Sequence, residues 1–405
     1  MARIVQKFGG TSVADAEKLL RVAKRVVATA AEGNQVAVVV SAMGKTTDAL
    51  LQLVGEISSD PNPRELDVLL STGEQVSIAL LSIAIQTLGH TSRAFTGGQV
   101  RVLTDSEHGQ ARIKRIGADR VLESLSEGEI PVVAGFQGIN QLGDVTTLGR
   151  GGSDLSAVAM AAALDADLCE IYTDVDGVFT ADPGIVPTAR KLSTISYDEM
   201  LELASLGAGV LQTRSVLAAK KFNVDLHVRS SFKTDEGTVI TREHEGMENV
   251  IVTGVTHDAK QAKLSLLRVP DQPGIASQIF GSMADAGVVI DMIVQSTNPS
   301  GFTDISVTMP RQAVKKAVDA AQTLVESVGA AGMNFHEEIA KVSIVGVGMR
   351  SHGGVAARMF TALSDEGINI HMISTSEIAI SCVIDLKYAE LAVRTLHQVF
   401  GLDNE

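Results

Sequence analysis

Lys7 is followed by Phe8, Gly9 and Gly10, and then by the hydroxyls of Thr11 and Ser12. A second run with the same ingredients, TLGRGGSD at 147–154, sets Arg150, Gly151, Gly152 and Ser153 ahead of Asp154. Glycines let backbone amides approach an anion, and a helix N-terminus adds its dipole, so each run could hold a phosphate. A lysine beside such a turn could neutralise charge on a phosphoryl group in transfer, the main demand of that reaction. Alone, a Gly-Gly pair after a strand is also a plain structural turn.

Three further stretches concentrate glycine, hydroxyl and charge: SAMGKTTD (41–48), STGEQ (71–75) and TDVDGVFTADP (173–183). MGKTT is not a P-loop, because that motif needs glycine at 39 and the residue is Val39. TDVDG reads either as a metal-binding loop or as an Asp-Gly turn. Glu74 is the only charge in STGEQVSIALLSIAI. It is either a buried acid or a carboxylate at the start of a surface helix, where the dipole favours it. STGEQ itself is read as lying between two helical runs.

The elements that must position these residues alternate. VAVVVS (36–41), EIPVVAGF (129–136) and DLCEIYTD (167–174) are short β-branched or apolar runs, as expected of strands buried on both faces. Between them, DAEKLLRVAKRVVATA (15–30) has helical spacing, and SDLSAVAMAAALDA (153–166) is apolar nearly all round, which predicts a buried helix. Strand and helix in this rhythm predict an open, mostly parallel α/β sheet with helices on both faces. Ligands of such sheets bind at the carboxyl ends of the strands, where four of the five stretches fall and could share one crevice.

The chain has 405 residues, enough for two or three domains. It is 45% hydrophobic and 20% charged, with 37 glycines and no tryptophan. A net charge of −14 and few aromatics argue against a nucleic-acid surface. Any phosphate must then be held locally, by amides, one or two cations and a metal. Cys169 and Cys382 lie in apolar runs without metal-ligand spacing, which predicts buried reduced thiols and a cytoplasmic location. The N-terminal run shows no signal-peptide pattern. No run is read as approaching the ~20 apolar residues of a membrane helix.

Near 230–250 the character changes: KTDEG (233–237) is a turn and TREHEGMEN (241–249) is polar. Beyond it the chain repeats. GIASQIFGSMADAGVVIDMIVQS (274–296) aligns without gaps to GVAARMFTALSDEGINIHMISTS (354–376), with nine of 23 positions identical. Each copy follows an alternating strand, KLSLLRV or KVSIVGV, and precedes another, DISVTM or AISCVI. That order predicts two ferredoxin-like βαββαβ units, about 263–335 and 341–400.

KFGGTS, SAMGKTTD, TGE, TLGRGGSD and YTDVDGVFTADP, in this order, resemble the aspartate kinase branch of the amino-acid kinase family, and the repeat resembles tandem ACT domains. The resemblance covers essentially the whole chain. It implies a carbamate-kinase-like catalytic domain over 1–245 and a regulatory region over 246–405. It also implies transfer of the ATP γ-phosphoryl, with Mg²⁺, to the β-carboxylate of L-aspartate, the entry step to lysine, threonine, methionine and diaminopimelate. By the same resemblance Lys7 and Asp154 are catalytic. Lys7, Phe8, Gly9, Gly10, Ser41, Thr173, Asp174, Phe179 and Asp182 face ATP. Ser41, Thr47, Glu74, Arg150, Gly151 and Ser153 face aspartate. Glu74 would pair the substrate ammonium and Arg150 would hold its α-carboxylate.

The family often has arginine after ADP, where this chain has Gly184; Arg190 or Lys191 would then supply that contact. Asp271, Gly274, Ile275, Ala276 and Gln295, facing Asn369 and Ile370, are implied to bind lysine, threonine or both between the ACT domains of two chains. PDQPG of the first copy becomes MRSHGG in the second, so two equivalent sites are not expected. A dimer or higher oligomer is implied, and Met247 could start a separate short regulatory subunit. The alternatives are a same-fold kinase for another acidic amino acid and a catalytically inactive ACT-domain amino-acid sensor.

Overall fold

The computed structural model describes residues 1–243, 250–297, 301–350 and 352–403. Met247 lies outside the described residues. The chain forms two compact units: Met1–Val178, Lys191–Ala204 and Gly209–His244 in the first, Phe179–Arg190, Ser205–Ala208 and Glu245–Glu405 in the second.

The first unit begins β1 (Arg3–Phe8), α1 (Ala16–Ala31), β2 (Gln35–Val40), α2 (Thr46–Ile57), α3 (Pro63–Thr87) and β3 (Ser92–Phe95). It continues with β4 (Val102–Thr104), β5 (Ile113–Ile116), α4 (Asp119–Ser126), β6 (Ile130–Ala134), β7 (Gln137–Ile139) and β8 (Val145–Thr147). Then come α5 (Gly152–Leu164), β9 (Leu168–Thr173), β10 (Thr194–Ser196), α6 (Tyr197–Ser205), α7 (Thr213–Phe222), β11 (Leu226–Ser230) and β12 (Thr238–Thr241).

Eight strands form one sheet in the order β10-β12-β11-β9-β1-β2-β6-β3. All its pairs are parallel except β11 with β12. Because side chains alternate along a strand, Val36, Val38 and Val40 of β2 join Leu19, Val22, Val26, Ile78 and Leu81 from α1 and α3 in one core. Helix α5 packs against β1, β2 and β9. Asp15 caps α1 by accepting from Lys18 N–H. A smaller sheet, β5-β4-β7-β8, was not legible in the sequence; its strands are three or four residues long.

Two expectations need correction here. STGEQ does not separate two helical runs but lies inside the single 25-residue helix α3, begun by Asn62 as cap and Pro63. This helix is also long and apolar enough to cross a membrane, contrary to the reading of the runs. It is instead a core helix of the first unit, with Asp67, Glu74, Leu81 and Ile85 buried. Cys169 and Cys382 are free and buried, and burial pushes both thiols up.

The second unit contains β13 (Gly254–Pro270), α8 (Ile275–Asp285), β14 (Ile293–Thr297), β15 (Phe302–Pro310), α9 (Val314–Val328) and β16 (Gly332–Val345). It ends with α10 (Val355–Asp365), β17 (Met372–Thr375), β18 (Ala379–Asp385) and α11 (Ala389–Val399). The two repeats share one antiparallel sheet, β14-β15-β13-β16-β18-β17. Strand β13 runs 17 residues and shifts register between Asp258 and Gln261. Its first part pairs with Lys341–Val345 of the second repeat, its last part with β15 of the first. Each repeat thereby covers an edge that the other would leave open.

Candidate active site

Strand β1 lies between β2 and β9, so the loops leaving these three strands emerge side by side. Gly9 N–H donates to Tyr172 O of β9, and Ser41 N–H, just after β2, donates to Phe8 O. A cleft of about 620 Å³ opens there, and Lys7, Ser41, Thr47, Glu74, Arg150 and Asp154 all line it. Gly9, Gly10, Gly151 and Ser153 line it too.

At one end the Lys7 ammonium lies 2.6 Å from Asp154 Oδ1, with side chains only 9% and 14% exposed. Lys7 comes from the end of strand β1 just before the glycines, Asp154 from the first turn of α5. The ammonium also stands 3.6 Å from where a Cβ on Gly9 would be, so that turn stays open toward it. Phe8 points away: it is fully buried and stacks on Tyr172 at 4.7 Å between ring centroids. Only its backbone faces the loops.

On α3, Glu74 is 3% exposed. Its Oε1 accepts from Ala42 N–H at 3.0 Å, while Oε2 is buried with no hydrogen-bond partner. Burial pushes this carboxyl up to about 7, opposed by the Ala42 hydrogen bond. The bond requires α3 and the loop after β2 to come very close. A Cβ on Gly73 would sit 2.8 Å from Ala42 Cβ, and one on Gly10 would sit 2.7 Å from Ala42 O. Both glycines therefore serve the approach around Ala42. Arg150 is exposed and has no ion-pair partner among the described residues.

The cleft also holds Asp67, which the sequence reading passed over. Its signal was available: it precedes Glu74 by seven residues, two helical turns, and so shares its helix face. Gly209, Val210 and Gln212 line the cleft as well, with no signal in the sequence beyond a glycine.

The remaining sites are placed elsewhere. Thr173 ends β9 and donates to Asp174 Oδ1 at 3.1 Å; neither residue lines the cleft. Phe179 and Asp182 belong to the second unit. There Asp182 accepts from Gly184 N–H at 2.8 Å, closing the turn in which the family's arginine is missing. Gly274 caps α8 with φ +96°. Gln295 lies on the edge strand β14. Asn369 and Ile370 precede the other edge strand, β17, and line a hollow of about 380 Å³ that none of the residues of the first copy lines.

A model of the amino acid kinase family matches residues 2–230, and an ACT-domain model matches 268–324 and 342–400. The chain belongs to the amino acid kinase family, with ACT domains following its kinase part. Within that family it is similar to the aspartokinase of Mycolicibacterium smegmatis, 51% identical over 410 residues, covering 100% of this chain and 97% of that protein. The aspartate kinase of Pseudomonas putida is 52% identical over 404 residues, covering 100% and 98%. The crystal structure of Escherichia coli aspartokinase III with aspartate and ADP matches with a TM-score of 0.81 at 26% identity, covering 98% of this chain and 99% of that one. The same enzyme with lysine and aspartate gives 0.78 at 26% identity, covering 98% of each.

Proposed function

We propose that this chain is a feedback-regulated aspartate kinase, forming 4-phospho-L-aspartate and ADP from L-aspartate and ATP. The observation that carries the reading is one cleft holding a cation for phosphoryl transfer, Lys7, together with Glu74 and Arg150 for the two charged ends of an amino acid. An oxygen of the substrate β-carboxylate attacks the γ-phosphorus, the bond to the β,γ-bridging oxygen breaks, and ADP leaves. The carboxylate is already a nucleophile, so the protein supplies position and charge rather than a covalent intermediate.

Lys7 stabilises the negative charge on the transferring group, and Asp154 holds the ammonium in place. The amides of Gly9 and Gly10, Ser41, and the N-terminus of α5 at Ser153 face the phosphates. The unpaired Glu74 Oε2 takes the substrate ammonium, Arg150 its α-carboxylate, and Thr47 lies beside them. Thr173, Asp174, Phe179 and Asp182 are assigned to the nucleotide by family resemblance. Among the described residues no group of three His, Cys, Asp or Glu side chains could hold a metal. Mg²⁺ would therefore arrive on the nucleotide phosphates and neutralise part of their charge, rather than sit in a protein cage.

Lysine or threonine is proposed as effector, bound by Asp271, Gly274, Ile275, Ala276 and Gln295 of one chain against Asn369 and Ile370 of another. This requires at least a dimer. Residues 1–245 are assigned to catalysis, 246–405 to regulation, and the enzyme to the cytoplasm. ATP-dependent formation of acyl-hydroxamate, compared for aspartate and glutamate with and without lysine and threonine, tests the reading. Turnover of aspartate, reduced by an effector, is expected; turnover of glutamate alone would overturn the substrate, and no turnover would favour the sensor.

A further inference from the structure

Asp67 is 1% exposed, yet it is among the residues that line the cleft. It accepts four hydrogen bonds from two separate segments. From the loop before β5, His108 Nδ1–H donates at 2.8 Å and Gly109 N–H reaches both oxygens at 3.1 Å. From the end of β8, the Thr147 hydroxyl donates at 2.5 Å. These segments are also tied to each other. Ala111 N–H donates to Thr147 O at 2.9 Å, and the Arg214 guanidinium bridges Leu148 O and Ala111 O. The joined piece leads, three residues past Thr147, to Arg150.

Helix α3 therefore carries two buried acids on one face, and each fastens a different rim of the cleft. Glu74 holds the loop after β2 through Ala42 N–H. Asp67 holds the strand end that leads to Arg150.

We propose that Asp67 is a positioning residue for amino-acid recognition: by tying Thr147 and Gly109 to α3, it sets the separation of Arg150 from Glu74, and hence the length of amino acid that fits between them. This rests on the assignment of Glu74 and Arg150 to the two ends of the substrate. Asp67 touches neither end itself. Its carboxylate is fully occupied by protein donors, so its effect passes through the loop that it anchors. The phosphoryl end of the cleft has an anchor of its own, the Lys7–Asp154 ion pair between β1 and the start of α5.

The test is steady-state kinetics of the full-length chain with Asp67→Asn and Thr147→Val, each varied separately in aspartate and ATP. Asparagine keeps the shape but replaces one acceptor oxygen with a donor, opposing the donors around it. Valine removes only the Thr147 hydroxyl and guards against a failure of the first variant to fold. The expected result is a KM for aspartate raised about tenfold or more, with KM for ATP within about twofold and a weaker preference for aspartate over glutamate. Asp67→Glu is expected to recover part of the loss. Equal changes in both KM values, or a fall in kcat alone, would overturn the proposal. Failure of the unmodified chain to phosphorylate aspartate would instead overturn the functional reading on which it rests.

Discussion

Lys7 Nζ and Asp154 Oδ1 meet at 2.6 Å although 146 residues of chain lie between them. The pair is nearly dry, which strengthens its attraction and makes either partner costly to remove alone. Lys7→Ala is expected to lower kcat by about 100- to 1,000-fold, as loss of a charge-stabilising donor does. Binding of lysine or threonine should be unchanged in a direct calorimetric titration. A variant that altered only KM for ATP would remove Lys7 from its transition-state role.

Glu74 gives a pH signature with a definite sign. In the unfolded chain its proton leaves near 4.5; in the folded protein burial holds it to about 7. Stability of the ligand-free protein is therefore present below 4.5 and declines as pH rises toward about 7, where both states are ionised. A substrate ammonium prefers the ionised form, so KM for aspartate should fall as pH rises through about 7. Glu74→Gln should raise that KM and flatten its pH profile, measured at saturating ATP. An unchanged profile would take the ammonium contact away from Glu74.

Gly73→Ala probes the close approach around Ala42. The added methyl would lie 2.8 Å from Ala42 Cβ, so the helix and the loop must part. Overpacking of this kind costs about 1–3 kcal/mol, readable as a lower urea midpoint. Because the Ala42 hydrogen bond to Glu74 stretches with it, KM for aspartate should rise in the same variant. Loss of stability without a change in KM would separate the packing from the site.

In the second unit, the buried His397 Nε2 lies 2.9 Å from Thr180 Oγ1, which also accepts from Arg190 N–H. Burial lowers the pKa of His397, with Arg190 adding to the effect and Asp403 opposing it. A depressed histidine contributes stability above the unfolded value of 6.5, and that contribution is lost as pH falls below it. Thermal melting should show a loss of stability below about pH 6.5 that His397→Gln reduces. Identical pH dependence in the two proteins would exclude this histidine as its source.

Local patterns carried much of the fold. The periodic apolar run over 15–30 marked α1, the continuous β-branched run at 36–41 marked β2, and the largely apolar DLCEIYTD marked β9. Helix α3 was less legible because Ser71, Thr72 and Gly73 look like a break; only the loop that packs against Gly73 explains the glycine inside a helix. The strands of the small sheet are too short to carry a pattern. For the site, Lys7 and Glu74 stood out by type and neighbours, and Arg150 and Asp154 were reached through the family resemblance. Asp67 did not, because its partners His108, Gly109 and Thr147 are about 40 and 80 positions away and adjoin it only once the sheet has formed.

Phe179–Arg190 has a consequence for how this molecule can be divided. The chain leaves the first unit for that stretch, returns, leaves again for Ser205–Ala208, returns, and departs finally after 244. Ala181 and Val186 are built into the same core as Val255, Ile344, Met359 and Leu396. No single scission therefore yields two intact pieces. A polypeptide begun near Met247 would contain both ACT repeats yet lack two of their core side chains, leaving an apolar patch bare. In the present chain that patch is covered by Phe179–Arg190, a segment supplied from within the kinase sequence.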